Sequence, residues 1–156
     1  MSINVGIEVT RADTTALYTL GAVAVVEANG TTPEKHYKYV QYNAATAAAA
    51  GVAGEVTYYY LAGGTQDNVV TSDVSDSVNI GAGVLQAALA DGEYGWIQTR
   101  GPATLTIALT AGADGNALTA VGAGDGTLDV SGLVTDYICA VADDASANEI
   151  VCLFPE

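Results

Sequence analysis

Basic residues are what this chain has least of. Arg11, Lys35, Lys38 and Arg100 are the only four, against 18 acidic residues, for a formal net charge of −14 over 156 residues. Four scattered cations cannot neutralise a phosphate backbone, which argues against nucleic acid as a partner. The same shortage argues against an anionic membrane and against phosphoryl transfer, whose transition state needs Lys or Arg clamps. Histidine occurs once, at His36. One imidazole cannot build the usual zinc cluster, and as a general base it has no identifiable orienting partner. No Gly-x-Ser-x-Gly string marks a serine nucleophile. Gly81-Ala82-Gly83 lacks both the third glycine of a dinucleotide site and the Lys-Ser/Thr of a P-loop. No run of about 18 apolar residues spans a membrane. Met1 to Thr10 has neither the basic stretch nor the apolar stretch of a secretion signal, so folding in the cytosol is expected. The expectation is a protein that is not an enzyme, with no catalytic residue, no cofactor and no metal.

The chain has two cysteines, Cys139 and Cys152. Their spacing is not that of a metal site. A last hairpin turning near Ala145-Ser146 would set them opposite each other, either as reduced core thiols or as a disulfide, which a cytosolic origin disfavours. The carboxylates gather in Thr71 to Asp76, in Gly122 to Asp129, and in Asp143, Asp144 and Glu149. Only the second resembles a calcium-binding β-roll, which needs tandem copies, and none matches an EF-hand loop. These acids read as turn formers. Asn29-Gly30-Thr31 is formally a glycosylation sequon, but the hairpin-turn reading of Asn29-Gly30 is stronger.

Apolar residues make up 50% of the chain and charged ones only 14%, with 18 glycines, so part of the surface is expected to be covered by neighbours. Short β-branched and aromatic stretches alternate with Gly, Asn and Asp, an all-β signature. Strands are expected at Val23 to Val26, around Tyr37 to Tyr42, at Glu55 to Leu61, at Val69 to Thr71 and at Tyr94 to Arg100. Gly101-Pro102 should then turn the chain. Leu105, Ile107 and Leu109 alternate with threonines as in a half-buried strand. Thr127 to Val130 reads as a short strand, and Tyr137 to Ala142 with Glu149 to Phe154 as a closing hairpin. Ala44 to Ala53 reads as a small-residue loop bracketed by Gly51 and Gly54, with a short helix as the alternative. The fold class is therefore all-β, a small β-barrel or sandwich with many short strands, Gly/Asp/Asn turns and little helix. No linker divides it, so residues 1–156 read as a single domain, with 1–30 as an N-terminal arm or an extra hairpin.

What the chain offers a partner is aromatic surface. Nine tyrosines accompany one tryptophan and one phenylalanine. Adjacent residues in Tyr58-Tyr59-Tyr60 must point to opposite faces of a strand, so a ring stands away from the core unless both faces are buried. Interface candidates are Tyr37, Tyr39, Tyr42, Tyr58, Tyr60 and Tyr94. Ile3, Val5 and Ile7, within Ser2 to Thr10, are candidates for strand-edge pairing. Trp96, in a regular strand, reads as core.

Gly83-Val84-Leu85, followed by Asp91-Gly92-Glu93-Tyr94-Gly95-Trp96-Ile97-Gln98-Thr99-Arg100-Gly101-Pro102-Ala103, resembles a pattern of tailed-bacteriophage capsid decoration (cement) proteins and related phage structural proteins. Leu109 to Ala113, the closing Ala140 to Leu153, and Tyr37 to Tyr58 also fit, so the resemblance covers roughly residues 35 to 156 and leaves Met1 to Gly30 unmatched. It implies a β-barrel-like domain, often a homotrimer. Such a domain is made in the host cytoplasm, seated on the outer capsid surface of the virion, and has the major capsid protein as partner. The alternative from the residues themselves is a phage fibre, tail or adhesin module in which exposed aromatics near carboxylates bind a host-surface glycan.

Overall fold

Short β-branched and aromatic stretches, several of them buried on both faces, carry the architecture, seen in a computed structural model that describes residues 6–47, 49–61 and 68–156. The strands are β1 (Val23–Val26), β2 (Lys35–Tyr42), β3 (Val56–Tyr60), β4 (Val69–Thr71), β5 (Ser77–Leu85), β6 (Tyr94–Thr104), β7 (Ala117–Thr119), β8 (Asp129–Val130), β9 (Ile138–Asp144) and β10 (Glu149–Leu153). The fold is all-β, with only two short 3-10 turns, at Val74–Asp76 and Ala145–Ala147, among the described residues.

All ten strands belong to one sheet, in the order β1-β2-β4-β3-β5-β6-β10-β9-β7-β8, and β2 also pairs with β6. That extra pairing closes β2-β4-β3-β5-β6 into a five-strand ring, leaving no free edge within it. Only β2 and β4 run parallel. Strand β6 is the hinge of the design. Its first half pairs with β2 (Tyr39 opposite Trp96), and its second half pairs with β10 (Val151 opposite Pro102).

Three apolar clusters follow. The ring interior holds Val40, Tyr42, Tyr59, Val70, Leu85, Leu89 and Ile97. Between the ring and the β10-β9-β7 strands lie Val56, Tyr58, Val84, Leu118, Leu128, Cys139, Ile150, Cys152 and Phe154. Adjacent Tyr58 and Tyr59 thus serve two cores, and both faces of β3 are buried. The third cluster, Ala24, Tyr37, Tyr39 and Trp96, is covered by Ile7, Val9, Leu20 and Ala22 of the same chain.

Tyr58 shows how polar ends are handled in such a core. Its hydroxyl donates to the Thr127 carbonyl, lies 3.0 Å from the Gly124 carbonyl oxygen, and accepts the Thr127 N–H at 3.0 Å. Burial, the largest influence, pushes this phenol up from its ordinary value. Replacing Tyr58 by Phe removes the oxygen that satisfies a buried N–H. Urea denaturation should therefore show a loss of about 1–3 kcal/mol; an unchanged midpoint would contradict this account of the bond.

Several sequence expectations are corrected. Residues 105–109 keep the alternation, with Leu105 buried and the threonines exposed, but they form no ladder. Their amides go to loops instead: Leu105 N–H to Asn148 O at 2.9 Å, and Thr106 N–H to Gly54 O at 3.0 Å. Gly101-Pro102 does not turn the chain but lies inside β6. Gly101 has φ +90°, and a Cβ there would stand 2.4 Å from the Glu34 carbonyl oxygen. Strand β5, with its Gly81 and Gly83, and strand β7 are elements the sequence pattern did not announce. The loop reading of Ala44 to Ala53, by contrast, holds: its described residues form no helix, and Ala45 sits at φ 52° with its N–H on Asn43 Oδ1 at 2.8 Å.

Candidate interaction surface

The most exposed large apolar side chains among the described residues lie in the connection between β8 and β9. Asp136 builds it. Its Oδ2 accepts the N–H of Gly132 at 3.0 Å, the N–H of Leu133 at 2.9 Å and the Ser131 hydroxyl at 3.2 Å. A carboxylate gathering backbone amides in this way fixes a loop tip. Held on that tip, Leu133 is 67% exposed and Val134 fully so. Leu133, Val134 and Ile138 line one open groove with Ser131, Gly132 and Asp136. Val130 and Tyr137, beside it in sequence, are also exposed. Single exposed apolar residues are unremarkable, but a contiguous group on a braced loop is the mark of a contact surface.

A second apolar surface lies on the sheet. Strand β10 alternates strictly, with Ile150 and Cys152 inward and Val151 and Leu153 outward. Pairing register lines up Pro102, Val151, Val141 and Ala117 across β6, β10, β9 and β7. An antiparallel sheet open to water normally carries polar residues on that side.

The tyrosines proposed as contacts are placed differently. Tyr39, Tyr42 and Tyr58 are at most 2% exposed, and Tyr37 is also buried. Tyr60 and Tyr94 are half-buried. The rings of Tyr39, Tyr18 and Trp96 lie 5.1–5.3 Å apart, and Tyr94 stacks on Tyr39 at 6.3 Å. The hydroxyl of Tyr39 donates to buried Asp13 at 2.9 Å, and Arg11 pairs with the same carboxylate at 2.8 Å. Three different covers bury these tyrosines: ring closure encloses Tyr42, the β10-β9-β7 strands cover Tyr58, and the N-terminal segment covers Tyr37 and Tyr39. Ile7 packs on its own chain's third cluster. Ile3 and Val5 lie outside the described residues. Trp96 is core, as expected.

The two cysteines are free and buried. They are not opposite each other: the β9–β10 register sets Cys152 against Ala140, one residue along from Cys139. Burial pushes both thiols up to about 12, which leaves them inert near neutrality.

His36 lies between two carboxylates, with Nε2 2.9 Å from Glu34 and Nδ1 hydrogen-bonded to Glu156. Burial works to lower its pKa, but the hydrogen bonds and charges of Glu34 and Glu156 outweigh that and raise it above 6.5. A raised folded-state pKa means stabilisation fully present below the unfolded value and lost as pH climbs through the folded one. The melting temperature of the protein should therefore fall towards that of His36→Gln between mildly acidic and alkaline pH. A gap independent of pH would refute the clasp.

No family model matches this chain, and neither a curated protein nor a solved structure matches it.

Proposed function

We propose that the protein is a structural component of a tailed-phage particle, seated on the outer capsid and stabilising the lattice of the major capsid protein. The observation that carries this reading is the Asp136-braced tip, which holds Leu133 and Val134 in solvent where only a partner would bury them. The resemblance of residues 83–103 to decoration proteins supports it, and so does a charge of −14, which keeps such a protein off packaged DNA. Binding only the assembled lattice stabilises that lattice by mass action, without chemistry. The homotrimer belongs to this proposal through the resemblance.

The test is solution mass followed by co-sedimentation with shells lacking the protein. A trimer that saturates shells at fixed stoichiometry, and raises their bursting temperature, is the expected result. A monomer that ignores shells would overturn the reading in favour of a host-binding module. Exposed rings would suit a glycan-binding module, but among the described tyrosines only Tyr18 and Tyr137 are exposed, so the capsid reading is preferred.

A further inference from the structure

Four steps in this chain place a glycine directly after an asparagine or an aspartate: Asn29-Gly30, Asp91-Gly92, Asp114-Gly115 and Asp125-Gly126. Glycine has no Cβ to shield its amide nitrogen. At such a step that nitrogen can attack the side-chain carbonyl carbon before it and close a five-membered succinimide. The attack needs two free groups. One is a glycine N–H able to give up its proton, and the other is a side chain able to swing onto the nitrogen.

The fold ties down three of the four steps at both groups. Asp91 Oδ1 accepts the Ala44 N–H at 3.0 Å, and the Gly92 N–H donates to the Tyr42 carbonyl at 2.9 Å. Asp114 Oδ1 accepts the Ala145 N–H at 2.9 Å, and the Gly115 N–H donates to the Ala142 carbonyl at 2.8 Å. Asp125 Oδ1 accepts the Val74 N–H at 3.0 Å, and the Gly126 N–H donates to the Ser72 carbonyl at 2.9 Å. Asn29-Gly30 is held at neither group. The main chain of Asn29 pairs with Thr32, by bonds of 3.0 and 2.9 Å, and closes the hairpin loop. The Asn29 carboxamide and the Gly30 N–H make no hydrogen bond among the described residues. Both residues are exposed, and a Cβ on Gly30 would meet nothing within 4 Å. Exposure alone does not single out this step, because Asp91, Asp114 and Asp125 are exposed too.

We propose that Asn29 is a site of self-modification, deamidated through a succinimide with water as the only co-reactant. Hydroxide removes the Gly30 amide proton. The Gly30 nitrogen bonds to Asn29 Cγ, the Cγ–Nδ2 bond breaks, and Nδ2 leaves as ammonia with a proton from water. A second water opens the ring. Addition at Cγ breaks its bond to the Gly30 nitrogen and gives aspartate. Addition at the main-chain carbonyl of residue 29 breaks the original peptide bond and gives isoaspartate. No electrons change hands, and either product carries one more negative charge. Isoaspartate also routes the main chain through Cβ and Cγ, which breaks the pairing with Thr32. The β1–β2 ladder, which ends at Val26 opposite Lys35, is spared. This inference does not depend on what the protein binds.

Peptide mapping by mass spectrometry in mildly alkaline buffer tests it. Each step in the folded protein is compared with the same step in the guanidinium-unfolded chain, so that intrinsic differences between asparagine and aspartate cancel. At Asn29 the folded rate should lie within about threefold of the unfolded one. At the three Asp-Gly steps isoaspartate should form more than about tenfold slower in the folded protein, because two hydrogen bonds must break first. Isoelectric focusing should show an added acidic band that Asn29→Ala abolishes. Protection at Asn29 equal to that at the Asp-Gly steps would overturn the proposal. So would Asp-Gly steps that react as fast folded as unfolded, or an acidic band that persists in Asn29→Ala.

Discussion

Trp96→Ala is expected to destabilise the protein by about 3–5 kcal/mol, the range for deleting a large buried aromatic. Trp96 is 2% exposed, faces Tyr39 across the β2–β6 ladder, and touches Tyr18 from the N-terminal segment. Its removal strips the floor from the third cluster, on which Ile7, Val9, Leu20 and Ala22 rest. The loss should therefore be spatially uneven. Urea midpoints report the total. Hydrogen exchange should show the amides of Asp13 and Gly21, bonded to Tyr94 and Tyr39 at 2.8 Å, losing protection first. If those amides stayed protected while the midpoint fell, the segment would be held by its backbone bridges rather than by the indole.

The second large effect concerns binding. On the proposed capsid reading, Leu133→Asp combined with Val134→Asp should weaken attachment to shells by roughly a thousandfold, since two central apolar contacts are worth roughly 2 kcal/mol each. Folding stability should move by less than about 0.5 kcal/mol, because both side chains are already in water. Retained shell binding would remove the tip from the contact face and leave the β10 row as the candidate. The Asp136→Ala variant separates shape from chemistry. It keeps both apolar side chains but releases the loop, so it should weaken binding less than the double replacement does.

The glycines of β5 show where reading the chain stops. Val78, Ile80, Ala82 and Val84 alternate with Ser77, Asn79, Gly81 and Gly83, yet glycine's weak strand preference kept the stretch from being read as a strand. In the folded protein a Cβ on Gly83 would lie 2.8 Å from the Gln98 carbonyl oxygen, and one on Gly81 would lie 2.8 Å from Phe154. These glycines let β5 pass close to β6 and to the core. The demand comes from residues far along the chain.

Much was nonetheless legible. The β-branched and aromatic stretches of β2, β3 and β10, the Asn29-Gly30 hairpin signal and the even spread of turns specify an all-β chain, because strand preference and turn chemistry are local properties. Net charge and the short supply of histidine and lysine are composition, and they bound the chemistry before any folding. Tertiary structure alone decided the rest. Packing on both faces of the ring determined that Tyr37, Tyr39, Tyr42 and Tyr58 are core, since burial of a strand face depends on what packs against it. The β9–β10 register placed Cys152 against Ala140 rather than Cys139, because register is a property of two strands rather than one. The fold also joined two turns far apart in sequence, through the Val74 N–H to Asp125 Oδ1 bond at 3.0 Å, a contact that no local pattern encodes.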